Sequence, residues 1–283
     1  MKIAITAEST IDLPKELLTK YDIHTIPFTI LLGEEMGLDG EIDSKKIFEY
    51  VQKTKILPKT SAVNEYQYTE FFTKLLEDYD AIVHISLSSG ISTACEQAKL
   101  AASKMQNIYI VDSKSLSTGI ALLAIYASKL ASKGNLSAAE IAKLTSDRVP
   151  HVQASFVIER LDYLYKGGRC SSLQLFGANL LKLRPRIVVK PDTGKMTSSG
   201  KFRGKMEQVV EDYCKQTLNE FNTPDLSVAF VTYTTATEGM IANAKKALQE
   251  RGFKTIYETQ AGGTITSHCG EHTLGILYIN DAK

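Results

Sequence analysis

The residues best suited to chemistry fall in four short stretches. Leu87-Ser88-Ser89-Gly90-Ile91-Ser92 stands where an apolar run ends and a helical period begins. Hydroxyls and free backbone N–H groups at a helix entrance form a site for a carboxylate or phosphate, because the orphan donors and the helix dipole point the same way. The same pattern also serves plain capping by serine. Lys59-Thr60-Ser61 offers further hydroxyls just before a helix that Asn64 is placed to cap. Lys166-Gly167-Gly168-Arg169 reads as a helix end closed by glycines, with a guanidinium displayed immediately after. That arrangement suits an anion or a partner's carboxylate, and is equally ordinary turn chemistry.

The fourth stretch runs from Gly262-Gly263 to His272, and His268 to His272 matches H-x-x-E-H, a zinc-protease pattern. Zinc binding there requires both imidazoles on one helical face, yet Gly270 lies inside the motif and weakens a helix by roughly 1 kcal/mol. A single imidazole at His268, donating to an anion, is the reading favoured over a metal; a surface histidine is the plain alternative. An enzyme remains a rival: a serine hydrolase using Ser89 or Ser92 with His268, or a zinc hydrolase at His268 and His272. Gly194 to Lys201 is one residue too long for a Walker loop and its flanks predict a hairpin. No G-x-G-x-x-G follows the first strand and no G-x-S-x-G elbow occurs.

The elements that position these stretches alternate short β-rich runs with longer helical periods, the pattern of an α/β protein with a largely parallel sheet. Strands are predicted over 2–7, 23–32, 81–87 and 107–111, and helices over 45–54, 65–79, 93–105, 116–131 and 138–147. Asn64 with Gln67, and Ser137 with Glu140, have the spacing of a capping box. Pro150 suggests a boundary, so an N-terminal domain over 1–150 and a C-terminal domain over 151–283 are expected. The second holds predicted strands at 155–159, 185–189, 226–233, 254–259 and 275–279, with helices at 172–182, 205–220 and 238–251. In such a chain a ligand site is expected beyond the strand ends or in the cleft between units.

Across 283 residues, 33 Lys and Arg balance 32 Asp and Glu for a formal charge of +1, which gives no field for collecting nucleic acid. Glu8 interrupts the N-terminus before a signal-peptide apolar region forms, and Ser128-Lys129 breaks the longest apolar stretch, so a soluble chain is expected. Cys95, Cys170, Cys214 and Cys269 lie far apart with no C-x-x-C pair, as suits a reducing cytoplasm.

Taken in order, these stretches resemble the DegV family of bacterial fatty-acid-binding proteins, over essentially the whole chain. Glu8-Ser9-Thr10-Ile11-Asp12-Leu13 is similar to the family's D-S-T-x-D-L start, with Glu8 for the usual Asp. Thr60-Ser61 falls at T-S, Ser88-Ser89-Gly90-Ile91-Ser92 at S-S-G-[LI]-S, Asp112-Ser113 at a later D-S, Gly167-Gly168-Arg169 at G-G-R, and His268 at the C-terminal His. The resemblance implies two α/β domains with a lipid pocket between or beneath them. It implies a long-chain fatty acid as ligand, no other cofactor, and a carboxyl group held by Thr60, Ser92 and His268, with Ser61, Ser88, Ser89 and Gly90 as the supporting loop. It further implies that the protein is not itself an enzyme: a partner fatty-acid kinase, met through Arg169 and Arg203, makes the acyl phosphate, and ligand exchange involves transient membrane contact. Departures occur at Ala62, Val63, Thr93, Ala94, Cys95 and His272, and Thr93 and Cys95 are placed to reshape the pocket mouth.

Overall fold

The computed structural model describes residues 1–173 and 183–281. In chain order, the first part holds β1 (Ile3–Glu8), α1 (Lys15–Lys20), β2 (Ile23–Ile26), β3 (Thr29–Leu32), β4 (Glu35–Leu38), α2 (Ser44–Thr54), β5 (Lys59–Ser61), α3 (Glu65–Leu75), β6 (Ala81–Ser86), α4 (Ala94–Ala102), β7 (Ile108–Asp112), α5 (Thr118–Ala131) and α6 (Ala138–Arg148). Then come β8 (Val152–Val157), α7 (Leu161–Lys166), β9 (Arg184–Val189), β10 (Met196–Phe202), α8 (Met206–Glu220), β11 (Val228–Tyr233), α9 (Glu238–Arg251), β12 (Thr255–Gln260), α10 (Gly263–Cys269) and β13 (Leu274–Ile279).

Among the described residues three sheets result, and the fold is the mixed α/β class that the alternating pattern predicts. A parallel sheet has the order β2-β1-β6-β7; a mixed sheet has the order β10-β9-β8-β13-β11-β12; a small antiparallel sheet is β4-β3-β5. Every residue of β6, β8 and β13 is buried, as central strands covered on both faces require. Helix α5 is apolar nearly all round and packs against β1, β2 and β6 of one sheet and β8, β11 and β13 of the other. The largest apolar core accordingly draws on both sheets, from Ala4 and Ile82 to Leu277 and Ile279.

Local chemistry explains most boundaries. Asn64 and Gln67 form a complete capping box at α3, and Ser137 and Glu140 another at α6, as their spacing predicts. The single strand expected over 23–32 is two strands, because Pro27 cannot donate to a ladder: β2 pairs with β1, whereas β3 turns away to pair with β4 and β5. Residues 149–151 make one tight turn that runs straight into β8. The stretch from Gly194 to Lys201 belongs to the β9–β10 hairpin, as its flanks suggest. The helix expected over 172–182 falls, from residue 174 on, outside the described residues.

Candidate functional site

Strand β5 is only three residues long, yet its pairing with β3 fixes Thr60 opposite Ile30. Helix α10 brings His268 to it from more than 200 positions away, and Thr60 Oγ1 lies 2.7 Å from His268 Nε2. Burial, reinforced by the nearby Arg169 guanidinium, lowers the His268 pKa to about 4. The imidazole is therefore neutral at neutral pH. In the tautomer that protonates Nε2, His268 donates to Thr60 and leaves the threonine's own proton free for an acceptor.

The turn after α7 is shaped around that ring. A Cβ on Gly167 would lie 2.8 Å from His268 Nδ1 and 2.9 Å from the Tyr163 carbonyl oxygen, so only glycine admits the imidazole. Gly168 follows with φ at +71°, a conformation costly for other residues. Arg169 then folds back, its Nη1 donating to the Gly167 carbonyl.

Thr60, Ser92 and His268 all line one cavity of about 560 Å³, and its remaining wall includes Phe28, Leu87, Ile91, Leu116, Leu164, Met196 and Ile265. Hydroxyls and a neutral imidazole thus share a cavity with apolar side chains. Ser61, Ser89, Gly90, Thr93 and Arg169 reach the same chamber. The Thr60–His268 pair also borders a second recess of about 520 Å³, whose lining includes Lys55, Lys59, Lys166 and Arg169. Thr60, Arg169 and His268 line both spaces.

The serine loop divides its labour. Ser92 Oγ accepts from the Ala94 amide at 3.2 Å, so it satisfies the first amide of α4 and keeps a proton to donate. Ser88 is fully buried and ties the loop to the β9–β10 hairpin by donating to the Gly194 carbonyl at 2.8 Å. Gly90 packs against the same hairpin, where a Cβ would sit 2.5 Å from the Thr193 carbonyl oxygen. Ser89 Oγ accepts from Lys114 Nζ at 2.8 Å, and that ammonium also meets Asp112 at 2.8 Å.

The hydrolase readings find no support in this geometry. Among the described residues, no hydrogen bond joins Ser89 or Ser92 to His268, and the Ser89 hydroxyl faces an ammonium instead of a base. Helix α10 ends at Cys269, and Gly270 and His272 both have positive φ, which turns His272 away to pair with Glu159. The two imidazoles of H-x-x-E-H therefore share no helical face. Arg203 stands exposed on the loop between β10 and α8, outside the cavity lining. Cys95, expected near the mouth, is instead fully buried on α4, and Val63 is in the core, whereas Ala62 and Thr93 line the cavity.

Several supporting residues escape sequence reasoning. Glu8 is completely buried at the end of β1 and accepts from Tyr68 Oη at 2.6 Å, Ser86 Oγ at 2.6 Å and the Leu87 amide at 2.8 Å, with His84 Nε2 at 3.1 Å. Burial alone raises a carboxyl pKa; His84 and the converging donors outweigh it and hold Glu8 below its ordinary value. The base of the serine loop is anchored by that carboxylate. The one available signal was Glu8 itself, a charged residue closing an apolar strand.

The family model described as "Uncharacterised protein, DegV family" matches residues 2–281. Protein DegV of Bacillus subtilis is 31% identical, with 98% of this chain and 99% of that protein covered. The crystal structure described as "DegV, a fatty acid binding protein from Bacillus subtilis" is 28% identical, covers 99% of this chain and 100% of its own, and superposes with a TM-score of 0.85. A DegV family protein from Thermus thermophilus, 23% identical with 99% and 100% covered, shares the fold at a TM-score of 0.90. A match from one end to the other, a relative of the same length and two superposable folds place this chain in the DegV family.

Proposed function

We propose that the protein binds one long-chain fatty acid, with the tail in the 560 Å³ cavity and the carboxyl group at Thr60, Ser92 and His268. The observation that carries this reading is the Thr60 Oγ1–His268 Nε2 contact in a cavity that also presents apolar side chains such as Leu87, Ile91, Leu116 and Leu164. The volume lies within the roughly 300–1,000 Å³ usual for ligand pockets. Burying a tail is worth about 0.8 kcal/mol per methylene, so affinity comes chiefly from the chamber and orientation from the polar groups. The Bacillus subtilis relative described as a fatty acid binding protein supports the ligand class.

Thr60 and Ser92 donate to the carboxylate while the neutral His268 fixes the threonine rotor. Hydroxyl donors orient the carboxyl group and leave one of its oxygens free to attack a phosphoryl donor. The protein therefore performs no chemistry of its own and presents the carboxyl group to a fatty-acid kinase that forms the acyl phosphate. The second recess, with Lys55, Lys59, Lys166 and Arg169, suits the approach of an anionic phosphoryl donor. Arg169 and the exposed Arg203 are the residues assigned to kinase contact. The ligand is the only non-protein group required.

Residues 1–150 and 151–283 are read as two units closed against each other over α5, with the cavity bounded by both. Cytoplasmic residence accords with four buried free cysteines. Among the described residues no helix is long and apolar enough to cross a membrane; ligand exchange is assigned to transient contact with a bilayer surface.

Native mass spectrometry of the purified protein, followed by denaturation and identification of released small molecules, tests the reading. One fatty acid per chain, or stoichiometric uptake of added fatty acid, is expected. A protein that carries none and takes up none is not a fatty-acid carrier.

A further inference from the structure

The glycine pair at 262–263 opens α10, and the side chains of Asp12 and Asp39 converge on it from distant loops. Asp12 Oδ1 accepts from the Gly262 amide at 2.8 Å, and Asp39 Oδ1 accepts from the Gly263 amide at 2.8 Å. Their other oxygens are also engaged: Ser117 Oγ donates to Asp12 Oδ2, and Ser9 Oγ donates to Asp39 Oδ2 at 2.9 Å. Both aspartates are almost wholly buried, at 5% and 9% exposure. The approach is close enough to exclude side chains. A Cβ on Gly262 would lie 2.9 Å from Asp39 Oδ1, and one on Gly263 would lie 2.4 Å from Ile30 Cδ1 and 2.5 Å from the Ile42 carbonyl oxygen.

Helix α10 is seven residues long, far below the roughly 12–15 at which a helix holds itself together in water. Its position is therefore set by what grips its ends. At the far end, the Gly270 carbonyl accepts from Thr234 Oγ1 at 2.6 Å. At the near end the grip is Asp12 and Asp39. Between the two grips the helix delivers Thr264, Ile265, His268 and Cys269 to the cavity wall. A shift at Gly262 and Gly263 carries the imidazole with it, and a hydrogen bond weakens steeply once its geometry is lost.

We propose that Asp12 and Asp39 are positioning residues for the carboxyl site: by gripping the amides of Gly262 and Gly263 they set where α10 holds His268 against Thr60. Neither lines the cavity, so neither touches the ligand. The inference rests on the fatty-acid-binding reading for its effect on affinity, and on the geometry alone for its effect on the imidazole.

Two measurements on the intact protein test it. The first is displacement of a fluorescent long-chain fatty acid from the wild type, Asp39→Ala, Asp39→Asn, His268→Ala and the Asp39→Ala/His268→Ala double variant. Asp39→Ala is expected to weaken binding about tenfold, Asp39→Asn to restore it because the amide oxygen still accepts from Gly263, and the double variant to bind no worse than His268→Ala. Unaltered affinity in Asp39→Ala, or losses that multiply in the double variant, would overturn the proposal. The second is NMR titration of the His268 ring without ligand, where loosening of α10 in Asp39→Ala raises the midpoint from about 4 toward the ordinary 6.5. An unmoved midpoint overturns the proposal even if the wild type binds no fatty acid, an outcome that would sink the carrier reading separately. Should Asp39→Ala fail to fold, Asp39→Ser, which shortens the acceptor, replaces it in both comparisons.

Discussion

Gly167 and His268 meet so closely that the ring nitrogen Nδ1 occupies the space a methyl group at position 167 would need. The Gly-Gly-Arg turn is thus the back wall of the imidazole as well as the mount for Arg169.

Substitution Gly167→Ala should push the ring off Thr60 and weaken fatty-acid binding by roughly tenfold, the equivalent of about 1.4 kcal/mol. Gly168→Ala is the matched control. No heavy atom stands within 4 Å of its added methyl, but φ at +71° strains it, so it should lower stability by about 1–2 kcal/mol without pushing on the His268 ring. Fatty-acid titrations paired with urea unfolding distinguish the two effects. Equal affinities for Gly167→Ala and wild type would show that His268 position is irrelevant to binding.

Thr60→Val keeps the shape of the side chain and removes its hydroxyl, with its 2.7 Å contact to His268. A hydrogen bond to a charged group is worth about 1.5–3 kcal/mol, so affinity for a fatty acid should fall roughly 10- to 100-fold. Affinity for the corresponding fatty alcohol, which offers no carboxylate, should change less. Equal losses for acid and alcohol would place the head group elsewhere.

Acid should erode stability through His268. Its folded pKa of about 4 is below the ordinary 6.5, so between those values the unfolded chain binds a proton that the folded chain does not. The stabilisation is complete above pH 6.5 and is lost as pH falls toward 4, on the order of 3 kcal/mol in all. Asp12 acts with the opposite sense: burial, offset in part by its bonds to Ser117 and Gly262 and joined by the repulsion of Asp39, raises its pKa to about 8. Its contribution is present below pH 4 and declines as pH rises to 8. Denaturant midpoints of His268→Gln should fall less steeply than wild type between pH 6.5 and 4.5, and those of Asp12→Asn less steeply between pH 6 and 8. Parallel curves would contradict the assigned shifts.

Glu8→Ala should be the most damaging single change near the site. It strands the donors of Tyr68, Ser86 and the Leu87 amide and removes the carboxylate facing His84 in a fully buried place. Breaking a buried pair on one side costs about 3–5 kcal/mol. Urea unfolding reads this directly, and a loss under 1 kcal/mol would mean that water enters and satisfies the network.

What the sequence made legible was whatever depends on neighbours along the chain. Asn64 with Gln67 and Ser137 with Glu140 announce their helices because a capping box is closed within four residues. The Thr60, Ser92 and His268 trio was nameable from motif order, and all three line one cavity. Pro27 was visible, yet the run around it reads as one strand until the second sheet offers β3 a different partner. Helix α10 was hidden because its glycines argue against a helix, and the aspartates that hold them lie 250 and 224 positions away. Glu8 has the same difficulty, its partners Ser86 and Leu87 being 78 and 79 positions distant.

Helix α5 carries a consequence for the integrity of the whole molecule. Ile120, Leu123 and Ala124 are fully buried on a helix that packs against strands of both the parallel and the mixed sheet. Each half is thus the other's missing layer. A chain severed near residue 150 would leave both fragments with a raw apolar face, because α5 packs on strands of both sheets.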